Sequence, residues 1–124
     1  MNIKYIKPEK LVPHEHIDNN QVMNVLRSLE TEKILKNAVV IDKNSKLILD
    51  WHHRFAALKQ MWVRLIPTIE VDYDSDNIVL GFWREWFTDS KKDIVEKAKK
   101  GYLYPIKTTK HSFNVSTEIN HEIY

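Results

Sequence analysis

Residues 38–58 read AVVIDKNSKLILDWHHRFAAL, and the fold is decided here. Ala38-Val39-Val40-Ile41 is a continuous apolar run of the kind that forms a buried strand. Asp42-Lys43-Asn44-Ser45-Lys46 is a polar turn, and Leu47-Ile48-Leu49 is a second strand, so the pair predicts a hairpin. Asp50 then stands where an N-cap belongs, ahead of Phe55, Ala56, Leu58 and Met61 on a helix. The first turn of a helix leaves backbone N–H groups without intrahelical partners, and its dipole end is positive. A strand running straight into such a turn makes an anion site without a glycine-rich loop.

Working outward, Ile3–Ile6 alternates as a short strand, and Pro13 predicts a loop before Asp18. Asp18 caps a helix whose apolar positions are Val22, Val25, Leu26 and Leu29, with Gln21 as the capping-box partner. Leu65–Val71 is a further strand, in which Pro67 suggests an edge or irregular position. Ile78–Trp83 is another strand. Ser90-Lys91-Lys92-Asp93 opens a last helix that runs to Lys100 and stops at Gly101. Mixed strands and helices with hairpin and crossover links predict a small α/β (α+β) domain spanning residues 1–124, with 115–124 as a tail.

Composition narrows the function. The 124 residues hold two glycines, Gly81 and Gly101, against about 9 for an average composition. Walker-type phosphate loops and GxGxxG turns are therefore excluded. The absence of cysteine removes disulfides, cysteine zinc sites and thiol chemistry. A net charge of +2 does not call for a nucleic-acid partner. No apolar run reaches the roughly 18 residues of a membrane span, and the N-terminus lacks a signal-peptide core, so a cytoplasmic setting is expected.

Three segments carry candidate chemistry. His52, His53 and Arg54 fall in the first turn after Asp50, where side-chain donors suit phosphate oxygens. Lys107-Thr108-Thr109-Lys110-His111 sets two hydroxyls between two cations, a group able to grip phosphate or carboxylate, although such runs are more often solvated loops. Glu15, within His14-Glu15-His16, can accept a proton from an attacking hydroxyl if a phosphate cleft adjoins it. A zinc reading through His14, His16, His52 and His53 matches no standard ligand spacing. Phe82-Trp83-Arg84 and Trp86-Phe87 form an aromatic cluster suited to core packing, and Trp83 suits a pocket wall equally.

Leu11–Glu15 (LVPHE), Leu47–Arg54 with Phe55-Ala-Ala-Leu58, Ile66-Pro67 and Lys107–His111 (KTTKH) occur in an order that resembles the ParB/sulfiredoxin-like superfamily. Within it, the closest resemblance is to archaeal free serine kinases (SerK-like), over nearly the whole chain. The resemblance implies a small mixed-sheet domain with flanking helices, and phosphorylation of free L-serine to O-phosphoserine by ADP or ATP with Mg2+. It implies that Glu15 activates the serine hydroxyl and that Asp50 assists catalysis or holds the metal. Trp51, His52, His53 and Arg54 match the nucleotide phosphate turn. Thr108, Thr109, Lys110 and His111 match the substrate-gripping tail, and Trp83 matches an aromatic position at the amino-acid pocket. L-serine and a nucleotide are the implied partners, with the protein a monomer or homodimer.

Three departures accompany these matches. Relatives usually carry glycine where this chain has Trp51, and tend to carry it where it has Trp62; Trp86 stands at a third place suited to glycine. A bulky Trp51 would obstruct the phosphate turn, and a tryptophan with positive φ at the helix stop would be strained. The alternative reading is a ParB-like nucleotide- or DNA-binding module without kinase activity. A sulfiredoxin-type reductase needs a cysteine in the turn and is excluded.

Overall fold

A computed structural model describes residues 3–123. Its centre is a four-stranded mixed sheet of β1 (Ile3–Ile6), β3 (Val39–Asp42), β4 (Ile48–Asp50) and β5 (Ile66–Val71), in the order β1-β5-β3-β4. β3 and β4 form the antiparallel hairpin that the sequence predicts, and β3 pairs in parallel with β5. Asp42 fixes the hairpin turn by accepting from Ser45 N–H at 3.0 Å and Ser45 Oγ at 2.6 Å.

The unbroken apolar run at 38–41 has a direct cause, because both faces of the sheet are covered. Val39, Ile41, Ile48 and Ile66 join one core with α1 (Asn19–Glu32) and α2 (His52–Gln60). Ala38, Val40, Leu47 and Leu49 join a second core with Ile94 and Ala98 of α3 (Lys91–Lys99). β2 (Ile34–Asn37) pairs with β8 (Glu118–Glu122), and β6 (Val79–Phe82) with β7 (Thr109–Ser112), in two antiparallel ribbons. The mixed α/β class is the one expected, with helices flanking a mixed sheet.

Several local expectations change. The helix expected to be capped by Asp50 starts one residue later, with Trp51 at its N-cap, because Asp50 still belongs to β4. Pro67 lies in a central strand rather than at an edge; the β3 ladder begins at Thr68, so no pairing with β3 needs an N–H from the proline. Asp18 caps α1 through Asn20 N–H at 2.9 Å rather than through Gln21. The segment 115–124, expected as a tail, supplies β8 and places Ile123 in the first core. α3 carries the expected reciprocal box between Ser90 and Asp93, and Gly101 follows it at φ 86°.

Both glycine-like tryptophan positions are left-handed: Trp51 has φ 75° and Trp62 φ 59°. Trp86 is not among the positive-φ residues, so its backbone does not ask for glycine. Trp62 ends α2 in a Schellman turn, with Trp62 N–H on Lys59 O at 3.1 Å and Val63 N–H on Leu58 O at 3.3 Å. Its ring is 88% exposed, so packing returns little for the strained backbone. Trp62→Gly is therefore expected to stabilise the fold by about 1 kcal/mol, read as a higher urea midpoint, while Trp62→Ala changes little. A midpoint lowered by the glycine would contradict this account.

Candidate functional site

The site is built on the turn from β4 into α2. The left-handed Trp51 redirects the chain, and its own N–H is taken by Asp50 Oδ1 at 2.8 Å. The first helical bond runs from Phe55 N–H to Trp51 O, so the amides of His52, His53 and Arg54 lie outside the intrahelical ladder. This first turn forms one wall of a cavity of about 480 Å³. Glu15, Asp50, Trp83, Lys107, Thr109 and Lys110 also line it, as do Gln21 and Val25 of α1. The three separate sequence segments thus share one cavity.

Each of the two imidazoles lines the cavity and has one ring nitrogen committed inside the protein. His52 Nε2 accepts the main-chain N–H of His14 at 3.1 Å, and His53 Nε2 accepts that of Asp18 at 2.9 Å. These nitrogens are acceptors for the loop that carries Glu15, not donors toward an anion. Among the described residues no three His, Asp or Glu side chains are grouped to hold a metal ion, so the four-histidine zinc reading finds no ligand set.

Glu15 is docked on the segment 107–109. Oε1 accepts Lys107 N–H at 3.1 Å, and Oε2 accepts Thr109 N–H at 2.9 Å together with the Thr109 hydroxyl proton. Lys107 adopts a left-handed backbone at φ 56° at this point. The buried His14 ring donates from Nε2 to Thr109 Oγ1 at 2.9 Å, which fixes the hydroxyl with its proton toward Glu15. The loop itself is pinned by His16 N–H on Tyr104 O and Tyr104 N–H on His14 O, both at 2.8 Å.

The Lys107–His111 segment divides its tasks. Thr108 is buried and its hydroxyl donates to Pro105 O at 2.6 Å, closing a turn outside the cavity lining. Lys110 Nζ lies 4.6 Å from the Trp83 ring centroid, and both side chains line the cavity. His111 uses both ring nitrogens internally: Tyr73 O–H donates to Nε2 at 2.7 Å, and Nδ1–H donates to Leu49 O at 3.1 Å. It therefore locks β7 onto the end of β4, and a substrate grip is not its evident task.

Burial sets the electrostatics. It holds His14 well below the ordinary imidazole range, helped by the neighbouring His52 and His111. His52 borders the cavity, yet burial, helped by His111 and His53, pushes it down to about 3, and burial takes His111 down to about 4. The 3.6 Å approach of His14 to Glu15 is accordingly a polar contact and not an ion pair. Burial raises Asp50, opposed by the Trp51 N–H and by Arg54. Arg54 is lowered by burial, and its guanidinium carbon stacks 4.2 Å from the Trp51 ring centroid. His14 as a proton donor, Tyr73 and the Tyr104 backbone were not read from the sequence as site residues. His14 had a signal, a polar residue beside Glu15 in a proline-bounded loop; Tyr73 had none.

No protein-family model matches the chain. It is 26% identical over 107 residues to an ATP-dependent L-serine kinase of Staphylothermus marinus, covering 79% of this chain and 42% of that protein. It is 27% identical over 100 residues to the ADP-dependent L-serine kinase SerK of Thermococcus kodakarensis, covering 77% and 41%. A ParB-like protein of Sulfolobus acidocaldarius is 32% identical over 84 residues, 68% of this chain and 40% of the other. The chain thus spans less than half the length of these curated relatives. Among solved structures, a free serine kinase mutant in complex with ADP superposes with a TM-score of 0.90 at 14% identity, over 99% of this chain and 93% of the other. The fold is that of the free serine kinases, and in sequence the chain is related to proteins named L-serine kinases and ParB-like.

The depressed imidazoles have a consequence for stability. Between their folded values and about 6.5 the unfolded chain binds more protons, so stability rises with pH across that window. The urea midpoint is expected to be level above about pH 7 and to fall steadily toward pH 4. Each imidazole contributes at most about 1.4 kcal/mol per pH unit, and less where solvent in the cavity screens it. A midpoint unchanged down to pH 4 would show that the three rings are not held neutral.

Proposed function

We propose that this relative of the L-serine kinases transfers a phosphoryl group from ADP or ATP to the hydroxyl of free L-serine. The observation that carries the reading is the shared cavity, lined both by Glu15 and by the first turn of α2. Phosphoryl transfer needs positioning and charge neutralisation more than covalent help from the protein. The amides of His52, His53 and Arg54 suit phosphate oxygens, with Lys107 and Lys110 adding positive charge. Arg54 Nε and Nη1 are buried without a hydrogen-bond partner among the described residues, and donors so placed fit an oxygen-rich ligand.

The serine hydroxyl oxygen attacks the terminal phosphorus as the bond to the departing nucleotide oxygen breaks. The hydroxyl proton passes to Glu15, which is held in place by Lys107 and Thr109. Trp83 with Lys110 over its ring closes the amino-acid end. Mg2+ is bound by one or two carboxylates together with substrate phosphates, and Asp50 beside the phosphate turn fits that demand. Bound there, it would neutralise phosphate charge; Asp50 is the residue to hold it. A cytoplasmic setting belongs to the same proposal.

Incubation with L-serine, Mg2+ and either nucleotide is expected to yield O-phosphoserine. No product with either donor, alongside salt-sensitive binding to duplex DNA, would instead favour the ParB-like module. Glu15→Gln is expected to lower kcat by about 10²–10⁴-fold with nucleotide affinity retained. Full turnover in that variant would remove Glu15 from the role of base. Trp51→Gly frees the left-handed turn of its side chain and is expected to tighten nucleotide binding, measured by calorimetry. An unchanged affinity would mean that the indole is no obstacle.

A further inference from the structure

His52 and His53, the first two residues of α2, both spend their Nε2 atoms on main-chain N–H groups of another segment. Their acceptor bonds fall on His14 N–H, one residue before Glu15, and on Asp18 N–H, three residues after it. We infer that His52 and His53 are positioning residues, a paired clamp that ties the Glu15 loop to the first turn of α2. In the same turn, main-chain amides remain for the phosphates while the side chains hold the carboxylate that activates the acceptor. The inference rests on the kinase reading for its functional consequence, though not for the clamp itself.

The local bonding supports a specific role for each ring. Asp18 is the N-cap of α1, and its own N–H is the group that a capping-box residue at Gln21 would take. His53 takes it instead, so the start of α1 and the start of α2 are joined through one imidazole. Gln21 is left to line the cavity. His52 does the same for His14, whose ring in turn orients Thr109 toward Glu15. Both histidines act as acceptors at Nε2, which places the proton of each neutral ring on Nδ1. A side chain without an acceptor at that position leaves a loop amide unsatisfied and frees the loop to move.

The test compares Leu and Gln at each site, because a glutamine side chain can offer its amide oxygen near the place of Nε2 while leucine offers none. In the protein alone, His53→Leu is expected to speed hydrogen exchange of the Asp18 amide by about tenfold or more, whereas His53→Gln stays near the parent rate. His52→Leu and His52→Gln are expected to behave likewise at the His14 amide. If His52→Leu does not fold, the His53 pair decides. In the kinase assay the Leu variants are expected to lose about tenfold in kcat with the nucleotide KM unchanged, and the Gln variants to recover most of it. Parent-like exchange in His53→Leu overturns the clamp. A raised nucleotide KM at unchanged kcat overturns the positioning role and would make the rings phosphate ligands. A parent protein that makes no phosphoserine refutes the kinase reading, and the exchange rates still decide the clamp.

Discussion

The site depends on one requirement: main-chain N–H groups in the loop at 13–18 need acceptors that the loop cannot supply. Backbone donors left unpaired away from water cost about as much as a lost hydrogen bond, so they are met almost without exception. Here the partners come from distant elements. His52 and His53 of α2 accept from His14 and Asp18, and Tyr104 O accepts from His16. The Glu15 carboxylate reverses the direction and accepts from the amides of Lys107 and Thr109. Four separated segments are therefore held at one place by bonds whose donors are largely backbone. Backbone donors have little conformational freedom left to lose, which makes them good anchors for a carboxylate.

The arrangement also explains the concentration of neutral histidines. Three imidazoles, His14, His52 and His111, lie with ring centroids 4.6 and 5.6 Å from that of His14. Protonating more than one of them would place like charges together in a crowded space, and protonating His52 or His111 would remove an acceptor on which the loop or β7 relies. Their low proton affinity and their structural bonds are thus two results of the same packing. Asp50 feels the same pressure against charge, which for a carboxyl raises the proton affinity, and the neighbouring Glu15 carboxyl adds to that. The pair of carboxylates is separated by environment: one is satisfied by three donors, the other by a single amide and a nearby guanidinium.

Much of this was legible in the sequence because it follows local rules. The β3–β4 hairpin, the amphipathic α1 and the capped α3 come from periodicity and turn chemistry acting over a few residues. Glu15, Asp50, Trp83, Thr109 and Lys110 do meet in one cavity. What could not be read was direction. The sequence places His52 and His53 in a first helical turn, but whether a ring faces outward or back depends on a loop 35 to 38 residues away. The same holds for His111, whose two partners, Tyr73 and Leu49, lie 38 and 62 residues distant. Strand β8 escaped because its alternation over Glu118–Glu122 is set by pairing with β2 and hardly by apolar content.

The scarcity of glycine gains a physical meaning from the backbone. Left-handed conformation costs an L-residue about 1–2 kcal/mol, and two tryptophans accept it at turns where a missing Cβ would be easier. The two cases differ in what offsets the strain. Trp62 is almost wholly exposed and its ring returns little. Trp51 packs against both hydrophobic cores and carries the Arg54 guanidinium on its face, so its side chain has become part of the wall. Cation–π stacking in such a partly desolvated setting contributes roughly 0.5–2 kcal/mol, comparable to the backbone strain. Strain at Trp51 is therefore balanced by packing and by the stacked guanidinium. At Trp62 it is balanced by nothing nearby, and the rest of the fold carries it.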